Sequence, residues 1–352
     1  MTPAVRAQFE AEPGYLNTAS LGVPPVAAVR EMAQTLDLWR RGQLSPPDFD
    51  DHVTRARRAW AGLTGVDPAC VAIAATVSNL VGVVASSLPD GARVVVAQGE
   101  FTSVTFPFLA HADRGIRVDE LPLEELPDLA GPADLIAVSA VQSADGRLVD
   151  LPGVHAAADA AGARLLLDTT QSCGWLPLDV SGVDYVVCAT YKWLLSPRGA
   201  AFLAVAPDAL DGLRPTSAGW YAGEDPWTSI YGLPLRLASS ARRLDVSPAW
   251  FSWIGAAVAL ELLAGLDLHQ IRDHNVRLAD KLLGRLGLAP QGSAIVTLDS
   301  TPEAVRQLGE AGVRTAMRDG RIRASFHLYN DDADVERAVQ ALTGADQTRT
   351  SR

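Results

Sequence analysis

Residues 163–202 read ARLLLDTTQSCGWLPLDVSGVDYVVCATYKWLLSPRGAAF. Arg164-Leu165-Leu166-Leu167 is a short apolar run that stops at Asp168, and Asp184-Tyr185-Val186-Val187-Cys188-Ala189 is a second that ends just before Lys192. Apolar runs of this length, bounded by polar and turn residues, read as buried strands. In an open α/β sheet ligands sit outside the carboxyl ends of the strands, so one carboxylate and one amine would face the same crevice. Taken alone, the two residues also fit a plainer account, in which Asp168 caps the following turn and Lys192 snorkels from a strand end.

A lysine facing an acid is what pyridoxal 5'-phosphate (PLP) chemistry requires. The amine forms a Schiff base with the cofactor, and the acid keeps the pyridine nitrogen protonated so that the ring can accept electrons. The letters around the pair resemble the class V aminotransferase family of PLP enzymes, whose core D-x-x-Q-x-x-G … D … Y-K-W-L-x-x-P-x-G is present from Asp168 to Gly199 with its spacing intact. The resemblance extends from Tyr15-Leu16-Asn17-Thr18-Ala19 to Arg321-Ile322-Arg323-Ala324-Ser325 and on to Tyr329-Asn330. That family includes cysteine desulfurases, kynureninases and isopenicillin-N-epimerase-like proteins. It implies an α/β protein of PLP-dependent transferase fold type I: a mostly parallel, seven-stranded-type sheet sandwiched by helices, plus a small α+β C-terminal domain. It also implies a homodimer with shared active sites.

The 352 residues are 48% hydrophobic, enough to bury a sizeable core in one large domain with a smaller one beside it. The formal net charge is -11 and no run of Lys or Arg occurs, which argues against a nucleic-acid partner or an anionic membrane surface. No apolar run is long enough to span a bilayer, and Met1 to Gly14 shows no basic segment followed by an apolar core. A cytoplasmic protein is expected. Its three cysteines, Cys70, Cys173 and Cys188, make neither a disulfide framework nor a zinc cluster and read as reduced thiols.

Residues 1–40 are expected as an N-terminal arm and helix, 41–235 as the large PLP-binding domain, 236–345 as a long connecting helix with the small domain, and 346–352 as a tail. Helical periodicity covers 26–41 and 48–62, started by Pro24-Pro25 and Pro46-Pro47. Strands at 71–75, 94–96 and 134–141 alternate with helices at 80–88 and 151–161, which argues a mostly parallel sheet with right-handed crossovers. A long helical region then runs to about Leu286, ahead of strands at 294–298 and 321–326 and helices at 302–311 and 332–342.

Thr76 and Val77 offer a hydroxyl and free N–H groups at a helix start, a candidate site for the cofactor phosphate, although a bare N-cap has the same letters. Val77 departs from the family's Thr-Thr or Thr-Glu. The resemblance puts Phe101 on the face of the pyridine ring. It puts Gln171, together with Gln142 or Ser143, at the phenolic oxygen, and Tyr191 at the phosphate. Ser247, within Arg242-Arg243-Leu244-Asp245-Val246-Ser247-Pro248, would reach the phosphate of a partner subunit. Arg323 would bind the substrate α-carboxylate, while Asn17 is either pocket lining or a turn residue. Lys192 and Asp168 would be the catalytic residues. No metal is called for.

The implied activity is on a small α-amino acid, through a Schiff base on Lys192 and a carbanion at Cα, most similar to an aminotransferase. Loss of a β-substituent, as in a kynureninase-like lyase, and epimerisation are the alternatives. Desulfuration needs a thiol on a loop ahead of Arg323, and residues 286–323 contain no cysteine. A non-catalytic relative is expected to have lost the lysine or the acid, and a Rossmann-type oxidoreductase needs a G-x-G-x-x-G after a strand, which is absent.

Overall fold

A computed structural model describes residues 2–344; the expected tail at 346–352 lies outside the described residues. Seven strands make the large sheet: β1 (Val71–Ala74), β2 (Arg93–Ala97), β3 (Arg117–Leu121), β4 (Leu135–Ser139), β5 (Arg164–Asp168), β6 (Tyr185–Ala189) and β7 (Ala201–Val205). Their order is β1-β7-β6-β5-β4-β2-β3. Strands β3, β2, β4, β5 and β6 run parallel, and β7 is antiparallel to both of its neighbours. Helices Val77–Ser87, Thr102–Leu109 and Leu151–Ala161 fill the crossovers. Only residues 190–200 separate β6 from β7, too few for a helical crossover, so the chain must return antiparallel.

Strands β4 and β6 are buried along their whole length and β5 along all but its first residue, which explains the unbroken apolar runs of the sequence. One face of the sheet packs Trp60, Phe202 and Trp253, with the Trp60 and Phe202 rings stacked at 4.9 Å. The other packs Val81, Val84, Phe108 and Leu203. β3 and the helix at 102–109 are additions to the sequence reading. β3 is an edge strand with charged letters, and the helix contains Pro107 and β-favouring residues.

The long helix expected up to Leu286 is two helices, Trp250–Ala264 and Leu268–Arg285, bent by 92°. Asp267 caps the second by accepting from the His269 N–H at 2.8 Å. The first helix contributes Trp253, Ala256 and Leu260 to the large core. The second packs Leu278, Leu282 and Leu283 against a small antiparallel sheet of β8 (Ile295–Leu298), β9 (Ala316–Arg318) and β10 (Arg321–Ser325), in the order β8-β10-β9. No single helix among the described residues is long and apolar enough to cross a membrane.

Residues 15–22 lie between the two sheets. The Leu16 N–H donates to the Arg314 carbonyl and the Leu16 carbonyl accepts from the Ser325 N–H, both at 2.9 Å; six residues on, the Gly22 N–H donates to the Tyr191 carbonyl at 2.9 Å.

Candidate active site

Asp168 ends β5, and Lys192 follows the neighbouring parallel strand β6, so both reach one pocket at the carboxyl edge of the sheet. Asp168 is 4% exposed and accepts the Thr170 N–H at 2.7 Å. Burial pushes its carboxyl up to about 6, and the Glu100 charge adds to this, while the Thr170 bonds and Lys192 oppose it. Lys192 is 5% exposed; burial brings its amine down to about 8, opposed by Asp168 and reinforced by Arg323 and Arg318. The two groups thus feel each other's charge.

The loop that carries the lysine is tightly held. The Leu195 N–H turns back to the Lys192 carbonyl at 3.1 Å, with Leu195 at φ +55, a conformation few side chains accept. Gly22 packs so closely that an added Cβ would overlap the Lys192 carbonyl oxygen. Trp193 donates its indole N–H to Gln171 Oε1 at 2.8 Å, and its carbonyl lies 2.9 Å from His327 Nε2. Burial takes His327 down to about 4, so the ring is neutral and its Nε2–H donates to that carbonyl.

Phe101 and Tyr191 flank the amine, their ring centroids 5.1 and 5.7 Å from Nζ. Thr76 is the N-cap of helix Val77–Ser87, accepting from Asn79 N–H at 3.2 Å, and Thr76, Val77 and Ser78 line the pocket. Gln171 spends its amide hydrogens on the Ala19 carbonyl and Ser143 Oγ, both at 3.0 Å, and its oxygen on Trp193. Ser143 Oγ accepts from Gln171 and, at 3.3 Å, from Arg323, which leaves its own proton free to donate. Gln142, the alternative to Ser143, gives its amide to Glu100 at 3.1 Å.

Arg323, on β10, is 1% exposed yet meets no carboxylate among the described residues. It donates to the Ser143 carbonyl at 2.5 Å and to Ser20 Oγ at 2.8 Å, and burial lowers it to about 10. Its Nε and Asn17 Oδ1 are buried without a partner. Asn17 also accepts the Ser20 N–H through its carbonyl, so it sits in a turn as well. Ser247 is exposed and lies outside the pocket of its own chain.

Four features had no signal in the sequence reading. Glu100 is a buried acid that accepts from Ser139 N–H, Ser139 Oγ and Phe101 N–H at 2.6–2.7 Å. Arg198 lines the pocket and lies over the Tyr191 ring at 5.4 Å. Arg318 reaches Ser20 Oγ at 3.3 Å. Arg57 and Asp245 form a buried ion pair at 2.7 Å behind β1, where Asp245 also accepts the Ile73 N–H. Glu100 and Ser139, Arg318 and Ser20, and Arg57 and Asp245 stand far apart in the chain, and local periodicity carries no trace of them.

The donor set suits PLP: a buried acid with a raised pKa for a ring nitrogen, an amine with a lowered one, an aromatic face beside it, and hydroxyls at a helix N-terminus for a phosphate. Fold and pocket together define a PLP-dependent enzyme. The chain belongs to the aminotransferase class-V family, whose model matches residues 74–305. It is 30% identical to a protein described as an uncharacterized aminotransferase, YcbU of Bacillus subtilis (strain 168), over 82% of each chain. Isopenicillin N epimerase of Amycolatopsis lactamdurans is 27% identical over 96% of each. The cysteine desulfurase CsdA of Escherichia coli shares the fold with a TM-score of 0.85 at 22% identity, covering 99% of both chains.

Proposed function

We propose that this enzyme acts on a small α-amino acid in the manner of an aminotransferase, with Lys192 as the residue that holds PLP covalently and then handles the Cα proton. The observation that carries this reading is the buried Lys192 and Asp168 at adjacent strand ends, with the acid-free guanidinium of Arg323 bonded to Ser143, which lines the same pocket. Bound PLP supplies the electron sink for the bond broken at Cα. Asp168 keeps the ring nitrogen protonated, and its raised pKa matches it to a partner base. Phe101 would cover the ring, Thr76 and the Val77 N–H would hold the phosphate, and the free Ser143 proton would be available to the phenolic oxygen. Gln171 positions that serine and anchors Trp193. Arg323 takes the α-carboxylate in a fork that fixes the Cα–H direction. Burial lowers the free Lys192 amine, which favours the neutral form that attack on the cofactor and proton abstraction both need.

Ser247, exposed and away from its own pocket, suits a contact with the phosphate of a second copy, which favours a homodimer. Desulfuration is disfavoured: Cys173 and Cys188 are buried, Cys70 is partly buried, and none lines the pocket. The test is to mix PLP-loaded enzyme with a panel of amino acids and follow cofactor absorbance and products. Accumulation of pyridoxamine phosphate with a keto acid supports transamination. A keto acid plus ammonia with the cofactor spectrum regained assigns a lyase, and inversion at Cα without either assigns an epimerase.

A further inference from the structure

Two guanidinium groups meet at Ser20. Arg323 donates to Ser20 Oγ at 2.8 Å and Arg318 donates to the same oxygen at 3.3 Å. Arg318 stands on β9 and Arg323 on β10, adjacent strands of one hairpin. Neither pairs with a carboxylate among the described residues, whereas Arg321, on the same hairpin, pairs with Asp299 at 3.3 Å. Like charges that share one neutral acceptor repel each other. The hydroxyl oxygen of Ser20 accepts from both forks, which leaves its proton to donate to an incoming anion.

A single α-carboxylate satisfies the buried fork of Arg323. It leaves Arg318, the more exposed of the two, without a counter-ion. Arg198 is not an equivalent receiver, because it lies over Tyr191 rather than beside Ser20. We propose that the substrate is an α-amino acid whose side chain ends in a second acidic group, with Arg323 taking the α-carboxylate, Arg318 the distal acid, and Ser20 bridging them. This rests on the amino acid reading of the site given above.

The experiment compares aspartate and glutamate with alanine on PLP-loaded wild type, Arg318→Gln and Arg318→Lys. Wild type should favour an acidic substrate by about ten-fold or more in kcat/KM, the worth of one hydrogen-bonded charge contact. In Arg318→Gln that ratio should fall to about two-fold or less, through KM rather than kcat, with Arg318→Lys between. A readout independent of turnover uses amine-free anions: succinate or glutarate should raise the Tm of wild type more than acetate at equal concentration, and Arg318→Gln should close that gap. If alanine perturbs the cofactor spectrum but aspartate and glutamate are no better substrates, the acidic-substrate inference falls and the amino acid reading stands. If Arg318→Gln preserves the ratio, or removes alanine binding along with the rest, Arg318 is not the distal receiver. If no α-amino acid perturbs the spectrum, both readings fall.

Discussion

Replacing Asp168 by asparagine should stabilise the apoprotein while weakening its hold on PLP. The Asp168 carboxyl is buried, and burial lifts it from 3.8 to about 6. A carboxyl whose pKa is raised on folding contributes stability that is present in full below about pH 4 and is lost as the pH climbs through 6. At neutral pH the apoprotein therefore carries a buried charge. Each tenfold change in proton affinity between the folded and unfolded chain is worth about 1.36 kcal/mol, which puts the cost of that charge at ~3 kcal/mol. Asparagine keeps an oxygen for the Thr170 N–H and stays neutral at every pH. Urea unfolding at pH 7.5 should show apo Asp168→Asn more stable than wild type by ~2–3 kcal/mol, and the gap should close towards pH 4.5 as Asp168 protonates. Saturating PLP should reverse the order, because wild type gains more binding free energy than the variant. Equal urea midpoints for the two apoproteins at pH 7.5, or a gap that survives unchanged at pH 4.5, would show that Asp168 carries no costly buried charge in the apoprotein.

Borohydride treatment of the PLP-loaded protein should fix the cofactor to Lys192, read by peptide mapping; a label on another lysine would displace it from the centre of the site. Arg323→Lys should weaken α-amino acid binding by about 1.5–3 kcal/mol and leave simple amines unaffected, since lysine lacks the planar fork. Equal losses for amines and amino acids would move the carboxylate site elsewhere. Replacing Cys70, Cys173 and Cys188 together should preserve the amino-acid-dependent spectral change, and a persulfide trapped on any of them in wild type would restore desulfuration as a candidate. Arg57→Met should cost about 3 kcal/mol in urea unfolding, because it leaves the buried Asp245 with only the Ile73 N–H and the more distant Arg242, 3.9 Å away. A loss below about 1 kcal/mol would show the pair to be dispensable.

The core of the site was legible because strands buried on both faces are written as apolar runs, and the residues that end them stand out. Asp168 and Lys192 stand out in this way, and the family resemblance is what proposes roles for Phe101, for Ser143 or Gln142, and for Arg323. β3 was missed because Arg117–Leu121 pairs on one side only and shows charges to solvent. The direction of β7 depends on the length of the loop before it, and Ala201–Val205 would read the same either way round. Glu100 stands in the chain as an ordinary acid; its burial follows from Ser139 on the parallel strand β4, whose N–H and hydroxyl satisfy it. Arg318 looked like any solubilising cation until the fold brought it to the serine that Arg323 also holds.

The segment at 15–22 is the earliest part of the site to be made, yet it is among the last to find its place. Leu16 needs Arg314 and Ser325, and Ala19 needs Gln171, so its contacts span some of the longest separations in the chain. During synthesis the large sheet through β7 can assemble while this stretch still lacks its C-terminal partners. A nascent chain stopped before β10 would have both Asp168 and Lys192 but no Arg323 and no anchored Ala19–Gly22. On the role proposed for Arg323, competence to bind substrate should arise in a single late step, when β10 docks and draws residues 15–22 against the loop that follows β6.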